Sequence, residues 1–280
     1  MKKDQGENWF LRFFYHTILG RMLLKLLVNP CVSKIAGWFM DSRVSSVMIP
    51  FFRRKHGISM RGVIVPEGGF PSFNAFFCRK KKAITWQELR EEHALLTSPC
   101  DAFLTCITIQ KDQIFDVKHT RFSLTDLLRD KTLAHEFEGG TALIFRLTPS
   151  HYHRYAYAAD GEIKSWRRLS GVLHSVRPIC TREVPVYCQN AREYQVVDTE
   201  RFGRIVQMEV GALLIGRITN ESPKDRRSVR GLEKGRFEFG GSTILLLLQK
   251  DQVRLREEIL NAGRDGGEVS VQYGEILNQA

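Results

Sequence analysis

The segment KGRFEFGGSTILLLLQK, which begins at Lys234, sets Gly240, Gly241, Ser242 and Thr243 directly before an uncharged run long enough for a buried strand. Glycine reaches backbone dihedrals barred to other residues and leaves its carbonyl unobstructed, so the hydroxyl of a following serine can attack it. On its own, Gly-Gly-Ser-Thr is only a tight turn into a strand, and the hydroxyl needs an activating group from elsewhere. Three further segments carry candidates. In LLTSPCDAFLTC, Asp101 follows Ser98, Pro99 and Cys100 at a strand entrance, where an isolated aspartate ordinarily holds backbone amides. In FRLTPSHYHRYAYAADG, His151 and His153 flank Tyr152, and a period of two places both imidazoles on one side of a strand. Such a pair could ligate a metal, but nothing obvious completes a ligand set, so no metal is expected. The last segment runs from GVLHSVRP, containing His174, to NAREYQVVDTERFGRIVQMEVGALLIGRI.

The elements that must position these groups read as two regions. From residue 95 onward, short apolar or alternating runs such as AFLTCITI, TALIFRL and STILLLL are broken by Gly, Pro and Asp, the pattern of strands and turns. Helical signals there are few: SLTDLLRD opens with a capping pattern at Ser123 and Asp126, and DQVRLREEILNAG ends in a helix-stopping glycine. The expected fold is α+β, with a mostly antiparallel β body over 91–280 and a helical, basic region over 1–90. The net charge of +11 lies entirely in that first region, where 16 Lys or Arg stand against 5 Asp or Glu; the remainder holds 26 of each. The stretch WFLRFFYHTILGRMLLKLLV, Trp9 to Val28, is long enough to span a bilayer, but Arg12, Arg21 and Lys25 interrupt it. Each cation costs about 2.5–3.5 kcal/mol near the bilayer centre. An amphipathic helix in the headgroup plane is therefore expected, with Trp9, Phe10, Phe13 and Phe14 on its apolar side. The plainer alternative is a helical subdomain packed on the body with solvated charges. The six cysteines form no C-x-x-C pair, and no cleavable leader precedes them, so reduced thiols facing the cytoplasm are expected.

Taken in order, these segments resemble the phosphatidylserine decarboxylase family, whose members show an FNEFF-like element, an SPxDG-like element, a YHR element, NxRE and VGA elements, and a terminal Gly-Ser-Thr. The counterparts are FNAFFCRK from Phe73, SPCDA from Ser98, VKHTRFSLTDLL from Val117, YHRYAYAADG from Tyr152, NARE from Asn190, VGALLIGRI from Val210 and FGGST from Phe239. Ordered recurrence of several motifs is far more specific than any one of them.

The resemblance implies a self-processing decarboxylase. The proenzyme would cut itself between Gly241 and Ser242 into a β chain, 1–241, and an α chain, 242–280, whose Ser242 becomes an N-terminal pyruvoyl group, the covalent cofactor. That carbonyl would form a Schiff base with the amine of phosphatidylserine and accept the electrons released with CO2, leaving phosphatidylethanolamine. The implied site is Ser242, Asp101 and His153. Family members commonly carry a second His three residues after that of YHR and credit it with the self-cleavage step; here that position is Ala156. The resemblance gives His153, the matched first position, a part in decarboxylation or substrate protonation, so either His153 serves both steps, or His151 or His174 substitutes, or self-cleavage is impaired. Ala102 also stands where the family prefers Gly. The implied partners are phosphatidylserine and an anionic membrane surface, with the α and β chains as a heterodimer, further dimerisation left open, and no nucleic acid. The implied location is peripheral, on the cytoplasmic face of the cell membrane. Two rivals remain: a pyruvoyl enzyme acting on another amino acid or aminophospholipid, and an uncleaved, non-catalytic lipid-binding relative.

Overall fold

The computed structural model describes residues 13–82, 95–110, 114–117, 120–176, 180, 184–212, 217–221, 225–238, 242–264 and 267–279. The alternating runs form β1 (Ala102–Thr108), β2 (Ile114–Val117), β3 (Thr120–Ser123), β4 (Thr141–Leu147), β5 (Arg154–Ala156), β6 (Gly161–Leu169) and β7 (Arg192–Asp198). They continue with β8 (Arg204–Val210), β9 (Ile218–Asn220), β10 (Arg227–Ser228), β11 (Glu233–Phe237), β12 (Ser242–Leu248) and β13 (Val269–Val271). Eight strands make one sheet in the order β10-β6-β7-β8-β12-β4-β1-β13, β5-β11-β9 make a smaller one, and β2-β3 pair by themselves. Pairing between these strands is antiparallel throughout. The fold is α+β, as the patterning leads one to expect.

β12 lies between β8 and β4, and all seven of its residues are buried. Ile244, Leu246 and Leu248 enter a core shared with Leu143, Phe145 and Leu147 of β4 and with Tyr155 and Phe237 of the small sheet. Leu245 and Leu247 enter the opposite core, beside Leu124, Leu127 and Leu128 of the helix Leu124–Leu128. A strand covered on both faces has no solvated position, so its sequence reads as a continuous apolar run. The same alternation puts Ser242 on the Ile244 face, beneath the small sheet, and Thr243 on the other.

A buried polar network joins the two sheets. The Lys234 ammonium donates to Glu209 at 2.5 Å, and both side chains are fully shielded from solvent. Asn220 Nδ2 donates to Glu209 and to Glu193, Gln207 Nε2 donates to Glu209, and the Tyr155 hydroxyl donates to Asn220. Desolvated charges of this kind persist only when their remaining lone pairs and protons are satisfied.

The basic N-terminal region is helical over Ile18–Leu27, Pro30–Asp41 and Ile49–His56. Thr17 caps the first of these, its hydroxyl accepting from Gly20 N–H, and Asn29 caps the second. Ile18, Leu19, Met22 and Leu26 form an exposed stripe on the first helix, and Ile35, Trp38 and Phe39 form one on the second. Phe14, expected on the exposed apolar side, instead packs inward with Tyr15, Leu24, Val28 and Cys180. The chain bends at Thr17, which separates the aromatic cluster from the exposed stripe. Trp9, Phe10 and Arg12 lie outside the described residues. Among the described residues, no helix is long and apolar enough to cross a membrane.

Candidate active site

Antiparallel pairing gathers the candidate segments at one end of the large sheet. Ser242 opens β12 and pairs with Leu147, the last residue of β4; Phe103 of β1 pairs with Arg146; and Ala102 pairs with Val271 of β13. Thus the residue before β1, the segment after β4, the first residue of β12 and the turn after β13 share an edge. They are Asp101, the Thr148–His153 segment, Ser242 and Tyr273.

Asp101 is fixed at that edge by three donors. Tyr273 N–H reaches its Oδ1 at 2.9 Å, Tyr152 N–H reaches Oδ2 at 3.3 Å, and the Lys81 ammonium reaches Oδ2 at 3.4 Å. Its carboxylate therefore ties the His151–His153 segment to the turn after β13. The Ser98-Pro99 turn reinforces this tie, since Ala156 N–H donates to Pro99 O and Ser98 N–H to Glu275 O. At Ala156, where the family's second histidine would stand, the chain also offers its carbonyl to Gln207 Nε2.

The three histidines differ in surroundings. His153 is completely buried, its ring lies 3.9 Å from that of Phe77, and neither ring nitrogen has a hydrogen-bond partner among the described residues. Burial, then the positive charge of Arg79, holds its imidazole well below the ordinary range, so it is neutral at pH 7. His151 accepts from Thr148 N–H at Nδ1, at 3.1 Å, which leaves its ring proton on Nε2. Burial also lowers its affinity for protons, and the Asp101 charge opposes that shift. His174 belongs to a different neighbourhood: its Nδ1 meets the Tyr15 hydroxyl at 3.2 Å, and its backbone N–H donates to Asn190 Oδ1. Asn190 Nδ2 in turn donates to Gly211 O, so the NARE and VGA elements are clamped together and linked to the N-terminal helices.

Ser242 is 1% exposed, and its Oγ has no hydrogen-bond partner among the described residues. An orphaned buried hydroxyl is uncommon and marks a group kept for chemistry or for a missing neighbour. Phe239, Gly240 and Gly241 lie outside the described residues. Among the described residues no cluster of three or more His, Cys, Asp or Glu is placed to hold a metal ion. The site also contains groups that the motif spacing did not single out. Arg79 belongs to the FNAFFCRK element and Lys81 directly follows it; the segment is tethered to the histidine segment by Arg154 Nε donating to Cys78 O at 2.8 Å and by Lys81 N–H donating to the Tyr152 hydroxyl. Tyr273, 99 positions beyond His174, the last histidine of the chain, carried no sequence signal at all.

Residues 73–278 match the family model described as phosphatidylserine decarboxylase. The chain belongs to the phosphatidylserine decarboxylase family. It is 39% identical to phosphatidylserine decarboxylase proenzyme 2 of Clostridium acetobutylicum, over 99% of this chain and 94% of the relative. It is 37% identical to a phosphatidylserine decarboxylase proenzyme of Ruminiclostridium cellulolyticum, over 95% and 90% of the two chains. A Clostridium botulinum proenzyme is 34% identical over 99% of this chain and 94% of its own length. The matched region begins at Phe73, the start of FNAFFCRK, and so takes in every element that meets at the sheet edge. The similarity to the full-length relatives extends into the exposed helices as well.

Proposed function

We propose that this chain is a self-cleaving phosphatidylserine decarboxylase that forms phosphatidylethanolamine and CO2 while docked on an anionic membrane. The observation that carries the reading is the pair of orphaned groups, the Ser242 hydroxyl and the neutral His153 imidazole, both buried at one end of the molecule. In maturation His153 takes the proton of Ser242 Oγ as the oxygen attacks the Gly241 carbonyl carbon. The peptide nitrogen leaves, giving an ester. Removal of the Ser242 α-proton then expels the Gly241 carboxylate, and water releases the nitrogen as ammonia, leaving a pyruvoyl group at the head of residues 242–280. When formed, this group supplies an electron sink for decarboxylation of an amine. The residues present suit it: a buried uncharged strand head, a neutral imidazole, and donors already committed to Asp101 rather than to the hydroxyl.

Asp101 serves as the anchor of the histidine segment, through Tyr152 N–H, rather than as a direct partner of the imidazole. The α chain stays in place after the cut because it supplies β12 in mid-sheet and β13 at the edge. The exposed Ile18, Met22, Leu26, Ile35 and Trp38 enter the headgroup layer, with Arg21, Lys25 and Lys34 meeting lipid phosphates. Intact-mass measurement of the purified protein tests the proposal. Two species are expected, 1–241 and a pyruvoyl-headed 242–280, with Ser242→Ala remaining one chain. Cleavage that persists in Ser242→Ala, or a mature enzyme that releases no CO2 from phosphatidylserine, overturns it.

A further inference from the structure

Arg79 is 4% exposed, and its Nε and Nη1 have no hydrogen-bond partner among the described residues. A guanidinium always carries its charge, so burying one with idle donors is costly unless an anion arrives. The neighbouring cations are already matched: Lys81 with Asp101, Arg154 with Glu233, and Arg146 with Glu268. Arg79 packs its guanidinium 5.3 Å above the Phe76 ring, which fixes the plane of the fork but supplies no acceptor. Its position is set by the tethered FNAFFCRK element, one residue beyond Cys78, whose carbonyl Arg154 holds, and two before Lys81, which reaches Asp101. Arg79 is thus a buried cation whose Nε and Nη1 meet no acceptor among the described residues, close enough to His153 for its charge to act on that imidazole.

We propose that Arg79 receives the phosphodiester of the lipid headgroup. This inference rests on the phosphatidylserine reading above. The substrate brings two anions, and the reaction discriminates between them. The carboxylate loses its charge as CO2 leaves, so a guanidinium bound to it would stabilise the ground state more than the transition state and slow the reaction. The phosphodiester keeps its charge in substrate, transition state and product. Binding it is uniform binding, which lowers KM and leaves kcat alone. A planar, permanently charged group whose free Nε–H and Nη1–H point in fixed, different directions suits the several acceptor oxygens of a phosphodiester.

The test compares the wild-type enzyme with Arg79→Gln and Arg79→Lys, using two soluble probes as competitive inhibitors. Glycerophosphoethanolamine has the phosphodiester and amine but no carboxylate; O-methylserine has the carboxylate and amine but no phosphodiester. Arg79→Gln is expected to raise KM for phosphatidylserine and the inhibition constant of glycerophosphoethanolamine by about tenfold or more, with kcat changed by less than about twofold. Inhibition by O-methylserine should be unchanged, and Arg79→Lys should restore part of the loss. If Arg79→Gln fails to mature, calorimetric binding of glycerophosphoethanolamine to single-chain Ser242→Ala, with and without Arg79→Lys, gives the same comparison without processing. An unchanged constant for glycerophosphoethanolamine overturns the inference, as does a loss confined to O-methylserine, which would assign Arg79 to the carboxylate. A wild-type enzyme that matures but decarboxylates no phosphatidylserine would instead refute the substrate reading, a separate failure visible before any Arg79 variant is made.

Discussion

Replacing Lys234 by Met would leave Glu209 as a buried carboxyl facing the space of a lost cation. Both members of the pair are fully shielded, at 2.5 Å, so water cannot replace the missing ammonium. Breaking a buried pair from one side costs about 3–5 kcal/mol. Asn220 and Gln207 still donate to Glu209, which places the expected loss near the lower figure. With a urea m-value of about 3 kcal/mol/M, the midpoint should fall by about 1 M. The measurement belongs on the single-chain Ser242→Ala background at pH 7, where unfolding is not complicated by two separable chains. The pH dependence has a definite sign. Burial pushes the Glu209 carboxyl up, and Lys234 opposes that shift, so removing Lys234 raises it further. A carboxyl raised in the folded state contributes its stability below the unfolded value of about 4.3 and loses it as pH rises through the folded value. The deficit of Lys234→Met should therefore be smaller at pH 5 than at pH 8. Adding Glu209→Gln should recover about half of the loss, because no unpaired charge remains. A loss below about 1 kcal/mol, or a double variant as unstable as the sum of its singles, would refute the claim that this pair is desolvated.

The site and the surface make their own predictions. His153→Ala should accumulate uncut chain on denaturing gels, whereas His174→Ala, whose ring lies against Tyr15, should mature normally; the reverse pattern would move the base away from His153. Asp101→Asn keeps an oxygen able to accept a backbone N–H, so it should mature more slowly but still mature, while Asp101→Ala should mature far less; equal abolition by both would argue for a direct charge effect on the imidazole. Trp38→Ser together with Phe51→Ser removes two side chains that are 77% and 73% exposed, and should weaken binding to anionic vesicles at every salt concentration. Raising the salt should weaken wild-type binding through its cations, and binding that ignores both changes would mean that these helices face something other than lipid.

The sequence by itself pointed to the strands and the basic helical start, and it supplied the residues proposed as the reactive groups. STILLLL read as a strand buried on both faces, because seven successive uncharged residues between a Gly-Gly turn and Gln249 leave no side for water. Ser242, Asp101 and His153 were singled out because each belongs to a motif whose order along the chain is specific. What the sequence did not determine was partnership across long separations. Asp101 and Tyr273 meet through β1 and β13, and Lys234 meets Glu209 through two different sheets. No local period encodes such meetings, since they follow from strand order and register. The helical start was legible as amphipathic, yet which aromatic residues turned inward depended on the bend at Thr17 and on the pocket around Cys180. Arg79 shows the same division. Its charge was plain in FNAFFCRK, but that its donors are buried and idle beside His153 was decided only when the Phe73–Phe77 helix packed against the histidine segment, taking Arg79 out of water without giving it an acceptor.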